Sequence, residues 1–174
     1  MNTKKRNSCI LYAVGVLLLL LVDQFTKYLA STYLKNGSDV ILIKDIFQLH
    51  YLENRGAAFG MLQGQKLWFV ISTVIMLTLM VLVYFRTPVE KKYGWIRFIL
   101  ALLTAGAIGN LIDRLRLNYV VDFFYFELIN FPVFNVADIY VTVGMALLII
   151  LVFFYYKDEE LEILWPWKKK EQEK

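Results

Sequence analysis

Asn135-Val-Ala-Asp-Ile-Tyr-Val-Thr-Val-Gly-Met-Ala-Leu-Leu-Ile-Ile-Leu-Val-Phe-Phe-Tyr-Tyr156 decides what kind of chain this is. It opens on an asparagine and an aspartate, and from Ile139 to Tyr156 it carries no charge. A helix needs about 20 mainly apolar residues to cross a bilayer. The segment Asp138–Tyr156 meets that length. Three more segments do so as well: Ile10–Leu34, Leu67–Phe85 and Trp95–Leu115. Of the 174 residues, 59% are hydrophobic and 20% charged, against roughly 45–50% apolar in soluble domains. The expected fold is therefore an all-α membrane protein with four transmembrane helices. Together they fill a single domain, residues 1–157, followed by a charged tail, residues 158–174.

The basic residues report orientation. Lys4, Lys5 and Arg6 precede the first span, and Arg86, Lys91 and Lys92 lie between the second and third. Lys157, Lys168, Lys169, Lys170 and Lys174 follow the fourth. These regions must share a side in a four-span chain, and they hold most of the 19 Lys and Arg residues. That side is expected to be cytoplasmic, with both termini on it. Trp95, Trp165 and Trp167 suit an interfacial belt there. The first apolar run resembles a signal peptide, but no small-residue cleavage site follows, so it reads as a retained anchor. The formal charge of +4 is explained by topology, and no nucleic-acid partner is expected. One cysteine, Cys9, and one histidine, His50, leave neither a disulfide nor a His/Cys metal cluster in prospect.

The outer segments hold β-rich runs. Asp39-Val-Ile-Leu-Ile-Lys44 and Ile46-Phe-Gln-Leu-His-Tyr-Leu52 are bounded by Asn36-Gly-Ser38 and Asn54-Arg-Gly56, which predicts a small extracytoplasmic β element over about residues 38–60. Tyr119–Phe126 is also strand-like and able to pair with it.

The informative residues are polar ones in or beside the spans, where a charge costs at least about 2.5–3.5 kcal/mol. Asp23 and Lys27 stand four apart on one helix face and can pair, beside Gln24; they either tie helices together or serve a reacting group. Asn54-Arg-Gly-Ala-Ala-Phe59 is a small-residue loop, read either as a tight turn re-entering the membrane or as a surface for close backbone approach. Gly60 and Gly64 add a weak small-residue spacing. Gly106-Ala-Ile-Gly-Asn-Leu-Ile-Asp-Arg114 ends the third span. Gly106 and Gly109 permit close helix contact. Asn110, Asp113 and Arg114 form either a polar shelf at a site or a structural Asp113–Arg114 charge pair. Asp122, between Val121 and Phe123, is a poorly solvated carboxylate or a surface loop acid. Asn135 and Asp138 resemble a capping box, and a helix N-terminus favours the negative charge of Asp138.

Asp122 and Asp138 both fall at the outer boundary of the last two spans. Two carboxylates held close share a proton. One then acts as base on water while the other, protonated, polarises a carbonyl. This aspartic-peptidase chemistry requires neither metal nor cofactor. No HExxH or GxSxG motif offers a rival mechanism. Ion-binding acids of a small transporter, or the paired charges of a non-enzymatic membrane scaffold, are the alternatives.

Four blocks in order resemble the lipoprotein signal peptidase (signal peptidase II) family of bacteria, across residues 22–144. They are Asp23-Gln-Phe-Thr-Lys27, Asn54-Arg-Gly-Ala-Ala-Phe59, Gly106-Ala-Ile-Gly-Asn-Leu-Ile-Asp-Arg114 leading to Val120-Val-Asp-Phe123, and Phe134-Asn-Val-Ala-Asp138. The resemblance implies an aspartic endopeptidase of the bacterial cytoplasmic (inner) membrane, active at the extracytoplasmic face. Its substrates would be prolipoproteins whose cysteine carries diacylglyceryl, cut just before that cysteine. It implies a catalytic pair, Asp122 and Asp138, supported by Asp23, Lys27, Asn54, Gly56, Asn110, Asp113, Arg114, Asn135 and Ala137. It implies no cofactor, a monomer in contact with membrane lipid, and inhibition by globomycin. Ala105-Gly106 replaces the family's frequent Gly-Gly. Asn118 stands where a glycine is usual, and asparagine tolerates the left-handed backbone a turn needs there.

Overall fold

The computed structural model describes residues 2–56 and 64–164. Ala57 to Phe59 of the second block, Gly60 of the small-residue spacing, the tryptophans Trp165 and Trp167, and the lysines Lys168, Lys169, Lys170 and Lys174 lie outside the described residues. Helix α1 spans Thr3–Tyr33, α2 Lys66–Arg86, α3 Gly94–Leu117 and α4 Val136–Phe154. All four are long and apolar enough to cross a membrane. The helix α1 begins seven residues before the apolar run. The Asn2 side chain accepts the Lys4 N–H at 3.3 Å, so the basic residues continue the helix beyond the expected bilayer edge.

α3 occupies the centre. In its most apolar stretch 56% of residues are buried, against 6–11% in the other three. Small residues explain this: Ala101, Ala105, Gly106 and Gly109 are all buried on α3, and small side chains let helix backbones approach. A Cβ on Gly106 would stand 2.5 Å from the Ala137 carbonyl oxygen, so the entry of α4 is seated directly on the α3 backbone. The outward faces of α1, α2 and α4 carry exposed Leu, Ile, Val and Phe, as helices facing lipid do.

The strands β1 (Val40–Ile43), β2 (Phe47–Asn54) and β3 (Val120–Phe126) form an antiparallel sheet in the order β1-β2-β3. The β1–β2 turn places Asp45 at φ 59°. Asn118 joins α3 to β3 at φ 67°, the left-handed conformation expected of it. β2 and β3 pair Phe47 with Phe126, Leu52 with Asp122 and Asn54 with Val120. After β3 the chain folds back, and Phe134 bridges to Phe124 within a cluster of Phe47, Phe124, Phe126 and Phe134 rings.

The charged tail begins as a short helix α5, Asp158–Glu162. Leu161 and Leu164, spaced to share a helix face, pack with Tyr84, Tyr93, Ile96 and Tyr156. Tyr156 Oη donates to the Lys92 carbonyl at 2.7 Å, and Lys92 pairs with Glu160.

Candidate active site

The site forms where α4 begins, because three elements supply partners to its first turn. Asn135 is the N-cap. Its Oδ1 accepts the Asp138 N–H at 3.0 Å, and its own N–H donates to Asp138 Oδ2 at 3.1 Å. This is the reciprocal capping box read from the sequence. A second carboxylate serves the same turn from α1: Asp23 Oδ1 accepts the Ala137 N–H at 3.0 Å. Free N–H groups at a helix start need such acceptors.

The sheet register delivers Asp122. Asn54 lies opposite Val120, and Asp122, two residues on, shares that face. Diagonal neighbours of this kind are within side-chain reach, and Asn54 Nδ2 donates to Asp122 Oδ2 at 2.8 Å. The Phe124–Phe134 bridge brings Asn135 alongside, and its Nδ2 donates to Asp122 Oδ1 at 2.6 Å. Asn110 completes the set, its Nδ2 donating to Asp138 Oδ1 at 2.8 Å. Each carboxylate therefore receives two donors, and Asn135 serves both.

Asp122 and Asp138 line one cavity of about 470 Å³ together with Asn54, Gly56, Asn110 and Arg114. The rest of its wall is largely apolar, including Phe131, Ile139 and Val143. Asp122 is 1% exposed. Burial, and then the negative charge of Asp138, push its carboxyl up to about 7, while the Asn54 and Asn135 amides and the Lys27 charge act the other way.

An ion triad supports the pair from behind. Lys27 Nζ lies 3.1 Å from both Asp23 Oδ2 and Asp113 Oδ2 and 2.8 Å from Asn110 Oδ1. An ammonium has three donors, and all three are used. Asp113 Oδ2 also accepts the Val121 N–H at 3.1 Å, which fixes β3 to α3 one residue from Asp122. Asp113 therefore pairs with Lys27 and not with Arg114. Consecutive helical residues point about 100° apart, so Asp113 faces α1 while Arg114 faces the cavity. Arg114 donates to the carbonyls of Asn110 at 3.3 Å and Gly56 at 3.4 Å, and its guanidinium lies 4.6 Å from the Phe69 ring centre. Asn54 Oδ1 accepts the Gly56 N–H at 3.0 Å, shaping the turn that presents that carbonyl.

All eleven residues singled out from the sequence thus stand in one connected network. Three contributors were not singled out as site residues. Gln24 Nε2 reaches Asp23, Asp113 and the Gly109 carbonyl at 3.1–3.3 Å; its signal was an amide inside an apolar run. Gly109 leaves Asp23 its space, since a Cβ there would stand 2.4 Å from Asp23 Oδ2. Phe69 is one aromatic among many, without a distinguishing pattern.

Fold and site define a polytopic membrane protein in which two aspartates face one cavity, braced by amides and a buried ion triad. Residues 15–154 match the family model of signal peptidase (SPase) II. The lipoprotein signal peptidase of Caldanaerobacter subterraneus subsp. tengcongensis is 46% identical over 142 residues, covering 81% of this chain and 94% of that protein. That of Clostridioides difficile is 41% identical over 145 residues, covering 83% and 96%. A bacterial membrane enzyme solved at 2.3 Å superposes with a TM-score of 0.73 at 32% identity, over 84% of this chain and 92% of that one. The chain belongs to the signal peptidase II family, and it is accordingly a membrane-embedded peptidase.

Proposed function

We propose that this peptidase removes the signal peptide from diacylglyceryl-modified prolipoproteins, cutting before the lipidated cysteine with Asp122, Asp138 and water. The observation that carries the reading is the pair of carboxylates on one cavity, each held by its own donors.

Asp138 is the ionised partner and Asp122 the protonated one. The first turn of α4 favours negative charge at Asp138, whereas Asp122 keeps its proton up to about pH 7. Asp138 takes a proton from water as the oxygen attacks the scissile carbonyl, and Asp122 gives its proton to the carbonyl oxygen. Collapse of the tetrahedral diol breaks the C–N bond. Asp138 passes its proton to the leaving amine of the lipidated cysteine, and Asp122 recovers the hydroxyl proton. Because the two carboxyls titrate together, their apparent pKa values belong to the pair.

The excess of Lys and Arg at the opposite end of the bundle supports cytoplasmic termini and an extracytoplasmic site in the bacterial inner membrane. The apolar cavity wall beside lipid-facing Ile139 and Val143 suits acyl chains that stay in the bilayer while the peptide enters. Exposed Val40, Ile41, Leu42 and Ile43 on β1 suit a sheet that rests on lipid or on substrate. Globomycin occupies the same cavity. One chain supplies every group named here.

The experiment presents purified protein with one prolipoprotein in two forms, with and without diacylglyceryl on the cysteine. Cleavage of the lipidated form alone, before the cysteine, is expected. Equal cleavage of both forms would overturn the substrate assignment.

A further inference from the structure

A second cavity, of about 270 Å³, adjoins the aspartate cavity at Asn54 and Arg114, which line both. Three cations from three elements converge on it: Arg55 after β2, Lys66 at the start of α2 and Arg114 on α3. Among the described residues no carboxylate lines it. Arg55 lies 3.5 Å from Glu53, which Lys35 also holds at 2.9 Å. Lys66 and Arg114 have no carboxylate within ion-pair distance among the described residues. Lys66 donates to the Asn118 side-chain oxygen at 2.7 Å. Among the described residues Arg114 donates to two carbonyls and lies on the Phe69 ring. A guanidinium carries five N–H donors and an ammonium three, so the contacts to the described residues use only part of the donors around the cavity. Arg55 is held by Glu53, and Arg114 feels the charges of Asp122 and Asp138 from the adjoining cavity, yet none of these carboxylates lines this cavity among the described residues. Cations gathered on a wall without carboxylates are the chemistry of an anion site, and a guanidinium fork with a lysine fits a phosphate.

The surroundings favour a lipid as its source. The cavity lies where α2 begins and α3 ends, the depth at which a spanning helix meets headgroups. Leu67 and Trp68, next to Lys66, are 71% and 61% exposed, so the mouth borders the lipid-facing side of α2. We propose that this cavity binds the headgroup phosphate of a glycerophospholipid from the surrounding bilayer. The lipid's acyl chains lie along the outer end of α2, and its phosphate sits between Arg55, Lys66 and Arg114. This site goes beyond the peptidase reading and stands or falls separately, because its test needs no cleavage.

The test is native mass spectrometry of the full chain, delipidated in detergent and titrated with dioleoylphosphatidylglycerol, dioleoylglycerol, inorganic phosphate or an acidic peptide. One saturable phosphatidylglycerol adduct is expected, with weaker binding of dioleoylglycerol, which lacks the phosphate. Each cation near a membrane surface contributes about fivefold in affinity, so Arg55→Gln with Lys66→Gln lowers it by about 30-fold. Lys66→Arg retains binding, which separates loss of charge from loss of fold. Arg116→Gln, which removes a cation outside the cavity, leaves the adduct unchanged. Equal binding of dioleoylglycerol, an unaffected double variant, or an equal loss with Arg116→Gln would overturn the proposal. Saturable binding of the acidic peptide or of free phosphate in place of the lipid would overturn its lipid source.

Discussion

The Asp23 carboxylate accepts the backbone N–H of Ala137 at 3.0 Å, joining α1 to the first turn of α4 across 114 residues. Asp23 is fully buried and also holds Lys27. Its removal leaves a buried N–H without its acceptor and a buried ammonium with one carboxylate fewer. Asp23→Ala is expected to lose about 3–5 kcal/mol of stability, seen as a lower unfolding temperature in detergent, and to lose turnover as Asp138 shifts. A variant as stable and active as wild type would remove Asp23 from the account.

Gly109 makes that contact possible. An added methyl would stand 2.4 Å from Asp23 Oδ2, and Asp23 cannot retreat without breaking its bonds to Ala137 and Lys27. Gly109→Ala should cost about 1–3 kcal/mol, although alanine is the better helix former. Gly15→Ala, with nothing within 4 Å of the new atom, should be neutral or slightly stabilising. Thermal unfolding of the two variants side by side checks the contrast.

The sequence made the four spans legible, because lipid-facing helices write themselves as long apolar runs. The Asn135–Asp138 cap and the left-handed Asn118 turn were legible too, since both are local. The long-range partners were not. That Asp113 turns to Lys27 depends on which side of α3 the first helix packs. That Asn54 meets Asp122 depends on the register of β2 against β3, and that Asn135 meets it depends on the Phe124–Phe134 bridge. The docking of Leu161 and Leu164 was hidden by the charges around them.

Asp122 gives a pH signature. Its carboxyl titrates at about 3.9 when unfolded and is raised to about 7 in the fold. Below the lower value both states hold the proton and the residue costs nothing. As pH rises to about 7 the unfolded chain releases its proton while the folded one keeps it, so stability is lost over that window and levels off above it. Asp122→Asn removes this dependence. The unfolding temperature of the variant relative to wild type should therefore climb between about pH 4 and 7. A flat or falling difference would contradict the raised pKa. Wild-type cleavage should decline as pH rises through about 7, where Asp122 ceases to be the proton donor.

Arg114 acts through shape as well as charge. Lysine cannot hold two carbonyls with one planar fork while lying on Phe69. Arg114→Lys is expected to reduce turnover about tenfold, the equivalent of about 1.4 kcal/mol, a hydrogen bond to a charged group. Single-turnover rates would show it, and an unchanged rate would reduce Arg114 to a bystander.

The central claim is that Asp122 and Asp138 together activate water. The most direct measurement follows cleavage of a diacylglyceryl-modified prolipoprotein by the purified wild type, by Asp122→Asn and by Asp138→Asn. Each protein is shown to be folded by its unfolding transition, and metal chelator is present throughout. Wild-type cleavage before the modified cysteine, abolished in both folded variants, is the predicted result. Retained cleavage in either folded variant, or dependence of the wild type on added metal, would contradict the account.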